Sequence, residues 1–189
     1  LFARQMETFA AALSHADAQF GRILDELQAR GELDNTIVVI TSDNGASAEG
    51  GPNGLFNEAA VTGRAGPSVA ENLRFFDDWG GPGNFPHYAN GWAVAGDTPL
   101  RYYKQTTHEG GSRVPLIVAW PAGIAARGAL RAGFTHVSDV APTLLEAAGV
   151  PLAETINNVR QVPMEGTSFA RSFEGDLPDS GRAQYVELY

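Results

Sequence analysis

Thr36-Ile37-Val38-Val39-Ile40-Thr41-Ser42-Asp43-Asn44-Gly45 is the stretch whose reading decides the fold class. Its first six residues are all β-branched, which suits a strand covered on both faces, as in a parallel sheet. The run stops at Ser42-Asp43-Asn44-Gly45, a polar loop whose glycine permits a sharp turn. Upstream, Phe2, Met6, Phe9, Leu13, Ala16, Phe20, Ile23, Leu24 and Leu27 recur at steps of three and four. That period predicts one amphipathic helix over 2–30, capped by Gly31, with its apolar stripe packed on a sheet. Helix, short turn, buried strand and polar loop make an α/β pattern. In open sheets of this kind ligands gather beyond the carboxyl ends of the strands, where Asp43 and Asn44 stand.

Downstream, residues 114–120 form a second predicted strand, with prolines only near its ends. Ser138-Asp139 opens a helix that runs through Ala148 to a cap at Gly149, with Pro142 in the first turn where no backbone donor is required. Residues 45–98 carry the breakers Gly50-Gly51-Pro52 and Gly80-Gly81-Pro82-Gly83, and little regular structure is predicted there beyond a short helix over 68–79. A connection of this length usually covers a site, and 45–98 is expected to be such an insertion. Phe85, His87, Tyr88 and Trp92 are candidates for a pocket wall; filling a small core under the loop is their alternative role. Residues 151–182 read as loop with a turn of helix at 168–173, and 185–189 as the start of a strand. The chain begins inside a helical pattern and is expected to be a fragment of a longer protein.

Composition sets the outer limits. The chain has 189 residues, of which 43% are hydrophobic and 19% charged, enough for a folded core. The formal net charge of −9 argues against broad binding to nucleic acid, which needs clustered cations. It leaves room for a small anionic substrate, because a metal and one placed cation reverse the local field. Cysteine is absent, which excludes a thiol nucleophile and a cysteine zinc site within these residues. No apolar run is long enough for a transmembrane helix.

Two stretches carry chemistry. Asp43 and Asn44 are adjacent oxygen donors, a carboxylate beside a carboxamide, and such a pair suits a hard cation such as Ca²⁺ or Mg²⁺. An Asp-Asn-Gly triplet standing alone also serves as an ordinary turn. The second stretch is Lys104-Gln105-Thr106-Thr107-His108-Glu109-Gly110-Gly111-Ser112-Arg113-Val114-Pro115, in which paired glycines imply a tight turn feeding the second strand. Only nearness to the first strand end would make Lys104 a substrate ligand rather than a solvated charge.

Taken together, residues 35–45, Lys104 with Glu109-Gly110-Gly111-Ser112-Arg113-Val114-Pro115, Asp139-Val140-Ala141-Pro142-Thr143-Leu144-Leu145 with Gly149, and Glu165-Gly166-Thr167-Ser168 are similar to the sulfatase family in order and in spacing within each block. The resemblance covers about residues 1–173. The insertion with Tyr88, Trp92, Thr98, Pro99 and Tyr103 looks most like the larger bacterial arylsulfatases. It implies part of an alkaline-phosphatase-like three-layer α/β/α domain with a mainly parallel sheet, 1–189 being a partial catalytic domain.

By that resemblance Asp43 and Asn44 match the family's second pair of metal ligands, for Ca²⁺ or Mg²⁺. Lys104 matches the lysine that contacts the sulfate oxygens and is the catalytic candidate. His108 stands where an aromatic residue is more usual; it is a candidate to reach the substrate, with a buried or capping role as the alternative. Tyr88 and Trp92 are expected at the mouth of the site, on a loop over 80–99 folded across it. The family's nucleophile is a formylglycine made within a Cys/Ser-x-Pro-x-Arg motif. No such motif occurs here, so it is expected in a preceding part of the protein, with the first metal-ligand pair. The implied activity is hydrolysis of a small sulfate ester, with this chain inactive alone. Hydrolysis of a phosphate or phosphonate ester, or anion binding without catalysis, are the alternatives. The implied source is a bacterium, in its periplasm or cytoplasm.

Overall fold

The computed structural model describes residues 1–58, 66–177 and 182–188. Helix α1 (Phe2–Ala29) leads through a 3₁₀ turn (Leu33–Asn35) into β1 (Val38–Thr41). Helices α2 (Val69–Leu73), α3 (Asn90–Asp97) and α4 (Glu109–Ser112) precede β2 (Leu116–Ala119). A 3₁₀ turn (Val137–Asp139) continues into α5 (Val140–Ala147), followed by the short strands β3 (Thr155–Ile156) and β4 (Val159–Arg160) and a 3₁₀ turn (Ala170–Phe173). The order is that of an α/β chain. Strand β1 pairs with β2 and β3 with β4, each in a two-stranded sheet. A mainly parallel sheet of many strands is not seen among the described residues.

That difference has a physical consequence for β1. The expected strand was covered on both faces, but a two-stranded ribbon has too little neighbouring surface to cover it. Val38 and Val39 are half-buried, while Ile40 and Thr41 are exposed. The stripe on α1 is covered only in part: Met6, Phe20, Leu24 and Leu27 are half-buried, while Phe2, Phe9, Leu13 and Ile23 are exposed. Residues 182–188 form no strand.

Tertiary contacts divide the chain into two compact units, one of Leu1–Ala29, Ile40–Ile117 and Val186–Tyr189, the other of Arg30–Val39 and Val118–Tyr185. In the first unit α1 is anchored by a polar side chain. Gln5 is 1% exposed; its amide donates to the Asn53 carbonyl at 2.8 Å and accepts from the Ala89 amide at 2.9 Å. Gly54, at φ +74, leaves room for it, since a Cβ there would collide with the Gln5 amide. Both groups of Gln5 are thereby satisfied, as a buried amide requires. Around it Leu55, Trp79, Ala89 and Ala93 are buried. Phe56 stacks on Phe75 at 4.2 Å and meets the buried Trp79 edge-on at 5.7 Å, so the insertion carries an aromatic cluster that is buried at Trp79 and exposed at Phe75.

The second unit is organised by Asp139. Phe169 and Phe173 are buried there and meet edge-on at 6.2 Å. The Asp139 carboxylate, 2% exposed, accepts from Arg182 Nη1 at 2.7 Å on both oxygens, from the Thr167 amide at 2.8 Å and from the His136 amide at 2.7 Å. His136 accepts from the Ser138 amide and caps the turn, the structural role its position suggests. A Cβ on Gly166 would run into the Ser138 carbonyl, which explains a glycine beside Thr167. No described helix is long and apolar enough to cross a membrane.

Candidate active site

Asp43 and Asn44 follow the last residue of β1, so both stand at the strand's carboxyl end. Asp43 is exposed and Asn44 half-buried. Among the described residues neither side chain has a hydrogen-bond or ion-pair partner. The next residue shows why the loop turns here. The Gly45 amide donates to the Gly111 carbonyl at 3.1 Å, and a Cβ on Gly45 would strike the Gly110 carbonyl. The paired glycines of 110–111 are needed for the same reason, because Cβ atoms there would meet the carbonyls of Tyr102 and Thr106. The obstructing atoms are backbone, so they cannot swing aside. Gly45→Ala is therefore expected to destabilise the chain by about 2 kcal/mol, the scale of an overpacked site. A shift in urea midpoint worth less than about 0.5 kcal/mol would mean that this approach is not tight.

This crossing brings Lys104 to the loop after Asp43 and Asn44. The Lys104 amide donates to the Ala46 carbonyl at 3.0 Å. The residues two before and one after it, Tyr102 and Gln105, take left-handed backbone angles, φ 63 and φ 65. Non-glycine residues held there carry strain, and strain of this kind gathers at functional sites. The Lys104 ammonium is 3.1 Å from each Glu49 carboxylate oxygen.

The other expected residues separate. Tyr88 belongs to this neighbourhood: burial pushes its phenol above the ordinary value, opposed by the Ser47 backbone and reinforced by Asp97. Asp97 in turn accepts from the Ala46 amide at 3.1 Å. Trp92 lies on α3, where its indole N–H donates to the Phe2 carbonyl at 3.0 Å, so its polar edge is engaged by α1 and not by the Asp43 loop. His108 is exposed at the start of α4, its ring 4.6 Å from that of Tyr102, and makes no side-chain cap. His87 pairs with Glu58 at 2.9 Å, and Phe85 is 70% exposed, which removes it from any wall. Glu49 has no counterpart among the sequence candidates. The single signal available was a carboxylate five residues after Asn44, in a loop with many polar residues.

The donor chemistry at Asp43 and Asn44 fits a hard cation, while the number of donors does not complete a shell of roughly six to eight oxygens. Among the described residues no group of three or more His, Cys, Asp or Glu side chains is placed to hold a metal. The two oxygen donors thus stand at a strand end, and Lys104 lies on the segment that crosses the following loop.

Comparisons with known proteins give the family. A family model described as Sulfatase matches residues 2–150. An uncharacterized sulfatase of Schizosaccharomyces pombe is 37% identical over 149 residues, covering 79% of this chain and 26% of that protein. The arylsulfatase of Klebsiella aerogenes is 31% identical over 170 residues, covering 89% of this chain and 34% of that one. A crystal structure of a Pseudoalteromonas sp. sulfatase is 26% identical with a TM-score of 0.50, over 94% of this chain and 26% of that chain. The chain belongs to the sulfatase family. It spans about a quarter to a third of the length of these relatives.

Proposed function

We propose that this chain is part of an arylsulfatase-like sulfuric ester hydrolase of bacterial origin, periplasmic or cytoplasmic, with the three-layer fold of the alkaline-phosphatase-like proteins. The observation that carries the reading is the placement of Lys104. The 101–111 segment crosses the loop after β1, the Lys104 amide donating to the Ala46 carbonyl two residues beyond Asn44, which supports reading the lysine together with the two oxygen donors at the strand end. Asp43 and Asn44 are assigned to one divalent cation, Ca²⁺ or Mg²⁺, and Lys104 to the peripheral oxygens of a small sulfate ester. When bound, the cation supplies Lewis-acid polarisation of those oxygens. The residues of this chain bind and orient the ester: the lysine places a compact positive charge where negative charge accumulates. Tyr88 is assigned to the mouth of the site, on the 45–98 insertion. A formylglycine nucleophile is assigned to residues outside this chain, because 1–189 holds no Cys/Ser-x-Pro-x-Arg motif.

The test is metal dependence in a full-length sulfatase carrying these residues. Asp43→Ala is expected to raise the Ca²⁺ or Mg²⁺ concentration for half-maximal aryl-sulfate hydrolysis by at least about tenfold, since even partners of metal ligands are worth roughly 10- to 100-fold. An unchanged metal requirement would remove Asp43 from the site. Hydrolysis of an aryl phosphate in preference to the sulfate would replace the substrate assignment while leaving the metal assignment standing.

A further inference from the structure

Glu49 lies in the same loop as Asp43 and Asn44, and its carboxylate is held from several sides. Ser47 Oγ donates to Oε2 at 2.8 Å, Gln105 Nε2 donates to Oε1 at 3.1 Å, and the Lys104 ammonium reaches both oxygens at 3.1 Å. The Ser47 hydroxyl first, and the Lys104 ammonium after it, keep the Glu49 carboxyl below the ordinary carboxylate range against the effect of partial burial. The group is thus an ionised acceptor whose own position is set by two neutral donors before the lysine is considered. The lysine side chain has four rotatable carbons, and a free ammonium would sample many positions. Here the backbone pins one end of it, through the Lys104 amide and Ala46, and the carboxylate pins the other. An ammonium has three donors, so a contact with two carboxylate oxygens leaves capacity for an anion.

We propose that Glu49 is the positioning residue for Lys104, holding the ammonium in the geometry in which it meets the sulfate ester. The proposal rests on the assignment of Lys104 made above. Glu49 acts through the lysine and touches no reacting atom. A pair with side chains 31% and 30% exposed adds little to stability, so the positioning role predicts a change in rate without a matching change in stability.

Two measurements test it. Lys104 is the only lysine in the sequence, so in the 189-residue chain a lysine-labelled ammonium signal reports on this side chain alone. Its Nζ order parameter is expected to fall in Glu49→Gln and to fall less in Ser47→Ala, with the melting temperature of each variant unchanged. In a full-length sulfatase carrying these residues, Glu49→Gln is expected to lower kcat/KM for an aryl sulfate about tenfold, the size of a coupled pair. In a Lys104→Ala background the same change should cost less than about twofold, because its route of action is gone. Glu49→Asp should recover part of the loss. Equal effects in both backgrounds, an unaltered Nζ order parameter, or a rate increase in Glu49→Gln would each overturn the proposal; the last would make Glu49 a competitor of the anion. If Lys104→Ala itself leaves hydrolysis intact, the assignment of Lys104 falls and the proposal with it. The Nζ data separate that case, since the pair would persist without a catalytic role.

Discussion

Lys104→Ala, in a full-length sulfatase carrying these residues, is expected to lower kcat/KM for an aryl sulfate by about two to three orders of magnitude, the scale of losing one preorganised oxyanion donor. The size follows from the surroundings. The chain carries a formal charge of −9; Asp43 and Glu49 stand on the loop after β1, and Asp97, the last residue of α3, accepts from the Ala46 amide of that loop. Without Lys104 the cation assigned to Asp43 and Asn44 would be left as the one positive charge the proposed site offers an anionic ester. Stability should change little, because the Lys104–Glu49 pair is about one-third exposed and such pairs are worth about 0–1 kcal/mol. An unchanged melting temperature beside a lowered rate is therefore the expected signature. Lys104→Arg should recover only part of the activity, since a planar fork does not reproduce a compact ammonium. A loss below about threefold for Lys104→Ala would mark the lysine as a surface charge paired with Glu49.

What the sequence conveys well is local. Steps of three and four, ended by glycines, define α1 and α5 within a residue or two, and Gly31 and Gly149 take the left-handed angles that helix ends favour, φ 71 and φ 66. Burial is not local. Six β-branched residues in a row specify an extended chain at 36–41, but the neighbours decide which faces are covered, and β1 is half-buried to exposed. Helix α3 escapes a propensity reading because Gly91 and Gly96 lie within it and Ala89 supplies no side-chain cap. The predicted helix over 68–79 shrinks to α2, where Ser68 and Glu71 form a reciprocal cap, and then breaks into turns. The β3–β4 hairpin was open to reading: Asn157-Asn158 sit between β-branched residues and take φ 51 and φ 64, the angles of the favoured two-residue hairpin turn.

The site follows the same division. Asp43, Asn44 and Lys104 stand out through blocks of sequence, and the glycines that bring those blocks together are visible at 45, 110 and 111. Partners far apart in the chain are not visible. Glu49 and Lys104 are 55 positions apart, and no period or motif joins them. Trp92 and Tyr88 are four residues apart and read as one wall, yet the indole bonds to Phe2 while the phenol faces the Ser47 backbone. An aromatic residue in such a stretch announces neither whether nor by what it will be covered: Trp92 and Tyr88 find partners, while Phe85 is 70% exposed.

The largest effect on stability is expected at Asp139. Burial opposes its charge, but Arg182 and the amides of Thr167 and His136 outweigh that cost and hold its carboxyl below the ordinary value of 3.8. Asp139→Ala removes one partner of a buried pair, a change worth about 3–5 kcal/mol when the other partner is left uncompensated. Arg182 is 25% exposed and can regain some water, which favours the lower end, about 3 kcal/mol. The same substitution also removes the acceptor for the Thr167 amide, loosening the segment in which Thr143 Oγ1 accepts from the Phe169 amide at 2.9 Å. Because the folded-state value lies below the unfolded one, the contribution is present in full above the unfolded carboxylate range and is lost as pH falls through the folded value. Urea unfolding of the wild type and Asp139→Ala should therefore differ by about 3 kcal/mol at neutral pH, with the gap narrowing below about pH 4. Arg182→Ala should be destabilising too, and the double variant should fall well short of the sum, as coupled partners do. A gap under about 1 kcal/mol at neutral pH, or one that stays constant into acid, would show that the carboxylate is not the ionised centre of this unit.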